Sequence, residues 1–174
     1  MNYTSTKDLA PIILFVYNRP DLTKQTINAL LNNVLAIDSE IYIFSDGSKS
    51  KEDELNVNQV RGFIKNVKGF KEVKIIESQN NKGLANSIIQ GVSEVMKNHD
   101  KVIALEDDLY TTPNFLQFMN DSLNFYSEKK DVFSISGYSF NLGVAQSEKF
   151  DAYLLNRGWS WGWATWKDRW ENVD

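Results

Sequence analysis

Short apolar runs alternate along the chain with polar turns and with stretches of helical periodicity. Residues 11–17 (PIILFVY) are almost continuously apolar, the pattern of a strand buried on both faces. A polar turn, Asn18-Arg19-Pro20-Asp21, follows it. Pro20 suits a first helical position, Asp21 a first turn, and Asn18 or Arg19 the cap. Ile27, Leu30, Leu31, Val34 and Leu35 then recur at helical spacing. The cycle repeats. Residues 41–44 (IYIF) predict a second strand, and a helix opening near Ser50 carries Val57, Val60, Ile64 and Val67 on one face. Lys74-Ile75-Ile76 centres a third strand. Past the polar loop 79–83, a helix is predicted to bury Leu84, Ile88, Val92 and Val95, with Asn86 in its first turn facing the mouth of the sheet. Residues 102–105 (VIAL) predict the central strand. Thr112 as cap and Pro113 at the first position open another helix, with Phe115, Leu116, Met119, Leu123 and Tyr126 as its buried stripe. Residues 132–136 form a further strand ending in Gly137-Tyr138, and 153–155 a short last one. This alternation predicts an α/β domain: a mostly parallel sheet with helices on both faces. No repeat or linker divides residues 1–174, so a single domain is expected.

The central strand delivers three consecutive carboxylates, Glu106, Asp107 and Asp108. Adjacent anions repel one another unless a cation or a proton sits between them. Ligands of open α/β sheets bind beyond the carboxyl ends of strands. A divalent cation, with whatever anion it carries, is expected there; the bland reading is an acidic loop. Asp46 ends the second strand in Ser45-Asp46-Gly47-Ser48, where it either turns the chain or presents a carboxylate to a nucleotide.

Composition narrows the chemistry. With 42% hydrophobic and 24% charged residues, the chain is of ordinary globular make-up. A net charge of -4 without a basic block argues against nucleic acid as a partner. The absence of cysteine excludes disulfides and thiolate chemistry, and a single histidine, His99, argues against a His-based metal site or a Ser-His triad. No apolar run reaches the roughly 20 residues that span a bilayer, and the polar start lacks a signal-peptide core, so a cytoplasmic location without a transmembrane segment is expected. All five tryptophans fall between Trp159 and Trp170, close to the last residue, Asp174. This predicts a C-terminally truncated domain, part of a longer protein, that self-associates through its Trp-rich end.

The residues together resemble the GT-A fold glycosyltransferases, which are Rossmann-like nucleotide-diphospho-sugar transferases. They are most similar to the N-acetylglucosaminyltransferase that begins N-glycan branching and to its bacterial relatives. Val16-Tyr17-Asn18-Arg19 matches the family's Arg-bearing turn after the first strand. Glu106-Asp107-Asp108-Leu109, followed by Pro113-Asn114-Phe115-Leu116-Gln117-Phe118, matches its variant of the Asp-x-Asp motif with a proline and an aromatic helix. Gly83-Leu84-Ala85-Asn86 is similar to a loop-helix element of inverting members, and Gly162-Trp163 to a Gly-Trp segment near the acceptor site. The resemblance implies metal-dependent, inverting transfer of a sugar from a nucleotide-diphosphate sugar, a UDP-sugar, to a saccharide or other hydroxyl acceptor in polysaccharide biosynthesis. It implies Asp108 as ligand of Mn²⁺ or Mg²⁺ with Asp107 beside it, Glu106 on the ribose, Asp46 on uracil and Arg19 on a phosphate. Tyr17 and Asn86 complete the expected donor site.

The family's general base lies further along than Asp174, so Asp168, Glu171 and Asp174 are the only acids near the end to consider for that role. Trp163, Trp166 and Trp170, three and four apart, read as a packing stripe. Tyr138, Trp159 and Trp161 are left as sugar or acceptor contacts. Three other readings stand beside this one. A sugar nucleotidyltransferase would carry glycines in its first loop, which Tyr17-Asn18-Arg19-Pro20 lacks. A non-catalytic nucleotide-sugar or glycan-binding module needs no base. An aspartyl phosphatase would need Asp-x-Asp after the first strand, where none stands.

Overall fold

The computed structural model describes residues 9–140 and 152–172. Strands β1 (Ile12–Val16), β2 (Glu40–Ser45), β3 (Glu72–Glu77) and β4 (Lys101–Glu106) alternate with helices α1 (Pro20–Leu31), α2 (Lys51–Ile64) and α3 (Leu84–Val95). Helix α4 (Phe115–Phe125), strands β5 (Ser134–Ser136) and β6 (Trp163–Trp166) and the short helix α5 (Lys167–Trp170) follow. The sheet has six strands in the order β3-β2-β1-β4-β6-β5. The first four are mutually parallel, and β6 runs antiparallel between β4 and β5. This is the mostly parallel α/β sheet that the alternation predicts, in agreement with the GT-A fold.

Side-chain alternation along the central strands divides the core into two. Ile12, Leu14 and Val16 of β1 join Ile103 and Leu105 of β4 against α1, α2 and α4. Ile13 and Phe15 join Val102 and Ala104 against Val92 and Val95 of α3. A strand with all five residues buried is therefore apolar at every position, whereas β2 alternates. Helix α3 lies close to the sheet because Gly91 faces Phe15: a Cβ there would stand 2.7 Å from the ring.

Several boundaries differ from the sequence expectation. Helix α1 ends at Leu31, leaving Val34 exposed, while Leu35 and Ala36 are buried. Helix α4 begins at Phe115, not Pro113: Asn114 is the cap residue, and the Thr112 hydroxyl bonds to the Asn114 side chain rather than to a helix N–H. Leu84 is half exposed at the tip of α3 instead of buried. Residues 153–155 form no strand and are exposed. The tryptophan stripe is not helical either. Trp163 and Trp166 sit at the two ends of β6, and an odd separation on a strand sends them to opposite faces. Trp163 stacks on Trp170 at 5.7 Å beside the α3 core, and Trp166 enters the other core. The three are packing residues as expected, but on two faces.

Candidate functional site

In a parallel sheet every strand delivers its carboxyl end to the same edge. Pairing of Phe15 with Glu106 and of Val16 with Ser45 brings the ends of β1, β2 and β4 level. Tyr17, Arg19, Asp46 and the Glu106–Asp108 triplet therefore share one end of the sheet.

Asp107 is 1% exposed. Its Oδ2 accepts the Tyr17 backbone N–H at 3.1 Å, just past the last residue of β1. Its Oδ1 lies 2.5 Å from one terminal nitrogen of Arg19, whose other terminal nitrogen donates to Asp108 Oδ2 at 2.7 Å. One guanidinium thus spans two carboxylates. Burial raises the pKa of Asp107 against the opposing pull of Arg19 and the Tyr17 N–H. Burial also works to lower that of Arg19, but the charges of Asp107 and Asp108 prevail and raise it. Asp108 is the open member, with its side chain 39% exposed. Glu106 is half-buried, and no hydrogen bond to its carboxylate is made among the described residues. Burial and the charge of Asp108 raise its pKa.

Asp46 does not face an open pocket. Its Oδ1 accepts the N–H groups of Gly47 and Lys82, both at 2.9 Å, and its Oδ2 those of Lys82 and Gly83 at 3.1 and 3.0 Å. A carboxylate offers about four lone-pair directions, and all are engaged. The carboxylate anchors the loop that leads into α3. Gly83, the cap position of α3, brings no side chain of its own; Asp46 takes the N–H groups there instead. Gly47 is required by the approach: a Cβ would meet the Asn80 carbonyl carbon at 2.5 Å. Asn86 donates to the Lys82 carbonyl and is exposed. Tyr17 contributes its backbone; its hydroxyl donates to Asp53 and accepts from the Lys49 N–H.

Arg61, which no sequence pattern singled out, holds this end together. Its guanidinium donates to the carbonyls of Ser45, Asp46 and Ser78 and to the Ser45 hydroxyl. It clamps the ends of β2 and β3, which flank the Asp46 loop. Position 61 lies among Asn58, Gln59 and Gly62 on α2, and its partners stand 15 to 17 positions away, so only the tertiary fold reveals the clamp.

The C-terminal residues divide between the two ends of the sheet. Ser136 pairs with Trp163, and Trp163 with Ala104, so Tyr138 and Trp161 stand at the same end as the triplet. Their rings lie 4.7 Å apart, and Phe140 and Trp159 join them to make an aromatic cluster. Trp161 is half exposed, while the Trp159 indole N–H is buried without a partner among the described residues. Asp168 and Glu171 belong to the opposite end. Strand β6 runs away from the triplet to pair Trp166 with Lys101, and the Lys167 N–H bonds to the Asp100 carbonyl. The length of β4, about 16 Å at the usual rise per residue, separates them from the triplet. Asp168 is paired with Lys130 and Arg169, whose hydrogen bonds lower its pKa. Neither acid is placed to act as the base; Asp174 lies outside the described residues. A groove of about 460 Å³ between Ser93, Met96 and Trp170 also lies at that far end. His99 bonds to the Tyr42 hydroxyl, and burial lowers its pKa.

The donor set fits a hard divalent cation through a carboxylate at the rim. Asp107 is occupied, and no cluster of three or more His, Cys, Asp or Glu able to hold a metal exists among the described residues. Mg²⁺ and Mn²⁺ are commonly bound through one or two carboxylates, with substrate phosphates and water supplying the rest. Asp108, exposed at the rim, suits that arrangement. No helix among the described residues is long and apolar enough to cross a membrane.

A family model described as glycosyl transferase family 2 matches residues 12–165. No curated protein matches the sequence. Among solved structures, TarS of S. aureus aligns over 68% of this chain and 20% of its own, at 16% identity and a TM-score of 0.45. The mannosyltransferase PcManGT from Pyrobaculum calidifontis, in complex with GDP-Man and Mn²⁺, aligns over 68% and 34% at 11% identity and a TM-score of 0.48. The chain is thus similar to a fifth to a third of these two proteins.

Proposed function

The chain belongs to glycosyl transferase family 2, and from that premise we propose that it binds a nucleotide-diphosphate sugar, a UDP-sugar, for metal-dependent, inverting transfer to a hydroxyl acceptor. The observation that supports this is the meeting of Arg19, Asp108 and the Asp46-anchored loop at one end of the sheet. The nearer likeness to the N-acetylglucosaminyltransferase that begins N-glycan branching rests on the Glu106–Leu109 motif and on the proline and aromatic residues after it.

Displacing a nucleotide diphosphate requires that the negative charge gathering on the leaving oxygens be neutralised. A bound Mn²⁺ or Mg²⁺ would supply Lewis-acid stabilisation of that charge. Asp108 would hold the cation, and Arg19 would offer its guanidinium to the diphosphate. Glu106 stands within the same opening to accept a hydrogen bond from the ribose. Asp46 shapes the wall of the nucleotide pocket through the loop it anchors. Tyr138 and Trp161 present ring faces from the β5–β6 side, where an acceptor saccharide would stack.

A second reading, a nucleotide-sugar-binding module without catalysis, is favoured by the displacement of Asp168 and Glu171 to the wrong end of the sheet. Calorimetric titration of UDP-sugars with and without Mn²⁺, followed by an assay of donor hydrolysis and transfer, separates the two. Asp108→Ala is expected to weaken metal-dependent donor binding by at least about tenfold, and Glu106→Ala by less. Equal losses, or donor binding that ignores the metal, would overturn the metal reading. Binding without turnover would establish the module.

A further inference from the structure

Arg19 is placed where an incoming cation has to compete with it. Its two terminal nitrogens bind different carboxylates: the buried Asp107 at 2.5 Å and the exposed Asp108 at 2.7 Å. The two contacts are unlike. Asp107 is 2% exposed at its side chain and among the described residues has one other partner, the Tyr17 N–H, so it depends on Arg19 for its counter-charge. Asp108 stands 39% exposed and can exchange partners with solvent. The backbone adds a constraint. Arg19 is the cap residue of α1, immediately ahead of Pro20, so the base of its side chain is fixed and only the outer part swings.

Resting on the reading of Asp108 as a metal ligand, we infer that Arg19 is a resident counter-cation that the metal displaces from Asp108. Guanidinium and divalent cation repel each other, so the two compete for one carboxylate. When metal arrives, the Arg19–Asp108 contact breaks while the Arg19–Asp107 contact holds. One arm of the fork would thereby be freed to take up another anion. A metal without a diphosphate therefore meets an occupied site and binds weakly. A metal carrying a diphosphate brings the anion that the released arm can take up. Metal and diphosphate thus bind with positive coupling, in a range typical of linked sites, about 5–150-fold. Arg19 is a positioning residue in this scheme, since it sets the order in which charges enter before it touches any phosphate.

The test uses Mn²⁺ alone, with no nucleotide, and reads the free ion by electron paramagnetic resonance. Arg19→Gln removes the competing charge and is expected to tighten Mn²⁺ binding by about tenfold. Because Arg19→Gln also strips Asp107 of its partner and can cost folding, Arg19→Lys serves as the second variant. One ammonium keeps a charge for Asp107 but lacks the fork that spans both acids, so it too is expected to tighten Mn²⁺ binding. Adding Asp108→Asn to either variant must abolish the gain. Unchanged or weaker Mn²⁺ binding in both Arg19 variants overturns the inference while leaving metal-dependent donor binding intact. A gain that survives Asp108→Asn overturns it as well, since the site then lies elsewhere. Failure of Asp108→Ala to affect donor binding in the calorimetric experiment would instead remove the reading on which the inference rests.

Discussion

Asp46 offers a sharp test because it can contact a ligand from outside or hold its own loop from within, and the two roles separate in the free protein. Asp46→Asn keeps the shape of the side chain but replaces one accepting oxygen with a donating NH₂. Three backbone N–H groups, those of Gly47, Lys82 and Gly83, now meet the carboxylate. In the variant, the remaining oxygen serves at most two of them, and the new amide faces at least one N–H with a donor against a donor. Hydrogen bonds to a charged acceptor contribute roughly 1.5–3 kcal/mol each. Lys82 and Gly83 are not fully buried, so water recovers part of the loss and a net cost of about 2–3 kcal/mol is expected. For a chain of this size that lowers Tm by about 4–12 °C. The damage should also be local. Amide hydrogen exchange is expected to accelerate at Lys82, Gly83 and the first turn of α3, while β1 and β4 keep their protection. An unchanged Tm and unchanged exchange at Lys82 and Gly83 in the nucleotide-free variant would refute the anchoring role.

Two further perturbations probe the same end of the sheet. Arg61→Ala should cost about 2–3 kcal/mol in denaturant unfolding, and Arg61→Lys should recover only part of it, because an ammonium has no Nε–H to bond the Ser45 hydroxyl while its head takes the carbonyls of Ser45, Asp46 and Ser78; equal stability of all three proteins would count against the clamp. Burial, with the charge of Asp108, raises the pKa of Glu106 above 4.5, so the folded state holds this proton more tightly than the unfolded one and the resulting stabilisation, complete below 4.5, is lost as pH rises through the raised value. Glu106→Gln, neutral at every pH, should therefore raise Tm at pH 7.5, with a gain that shrinks as pH falls through the raised value and is gone below 4.5; a gain independent of pH would contradict the assignment.

The parts of the fold that depend on continuous burial were legible from residue order. Strands β1, β2 and β4 are apolar runs because they are covered on both faces or alternate between a core and a half-covered face, and the helices between them repeat at helical spacing. Legibility failed where tertiary context sets the local structure. Trp163, Trp166 and Trp170 have a helical spacing, yet Trp163–Trp166 form an antiparallel strand whose two faces enter different cores. Leu84 fits the helical stripe but stands at the open tip of α3. In the site, the position of the triplet followed from its place after an apolar run. The engagement of Asp46 by the loop 79–83 and the span of Arg19 across two acids join residues 36 to 89 positions apart, and no local pattern carries such distances. Asp168 and Glu171 were close to the tryptophans in sequence but were carried to the far end by the direction of β6.

The antiparallel strand β6 also governs how the protein is made. It enters the sheet between β4 and β5 and provides the strand pairing of both on that side. A nascent chain that has emerged as far as residue 160 can pair β1 to β4, but the outer edge of β4 is then a row of open N–H and C=O groups, and β5 has no neighbour in the sheet. That edge stays open for roughly 60 residues of translation, several seconds at ordinary elongation rates. Unpaired edges of this kind recruit strands from other chains. The four residues Trp163–Trp166 thus close the vulnerable interval, and a ribosome stalled before them would present a sheet ready to pair with a neighbour.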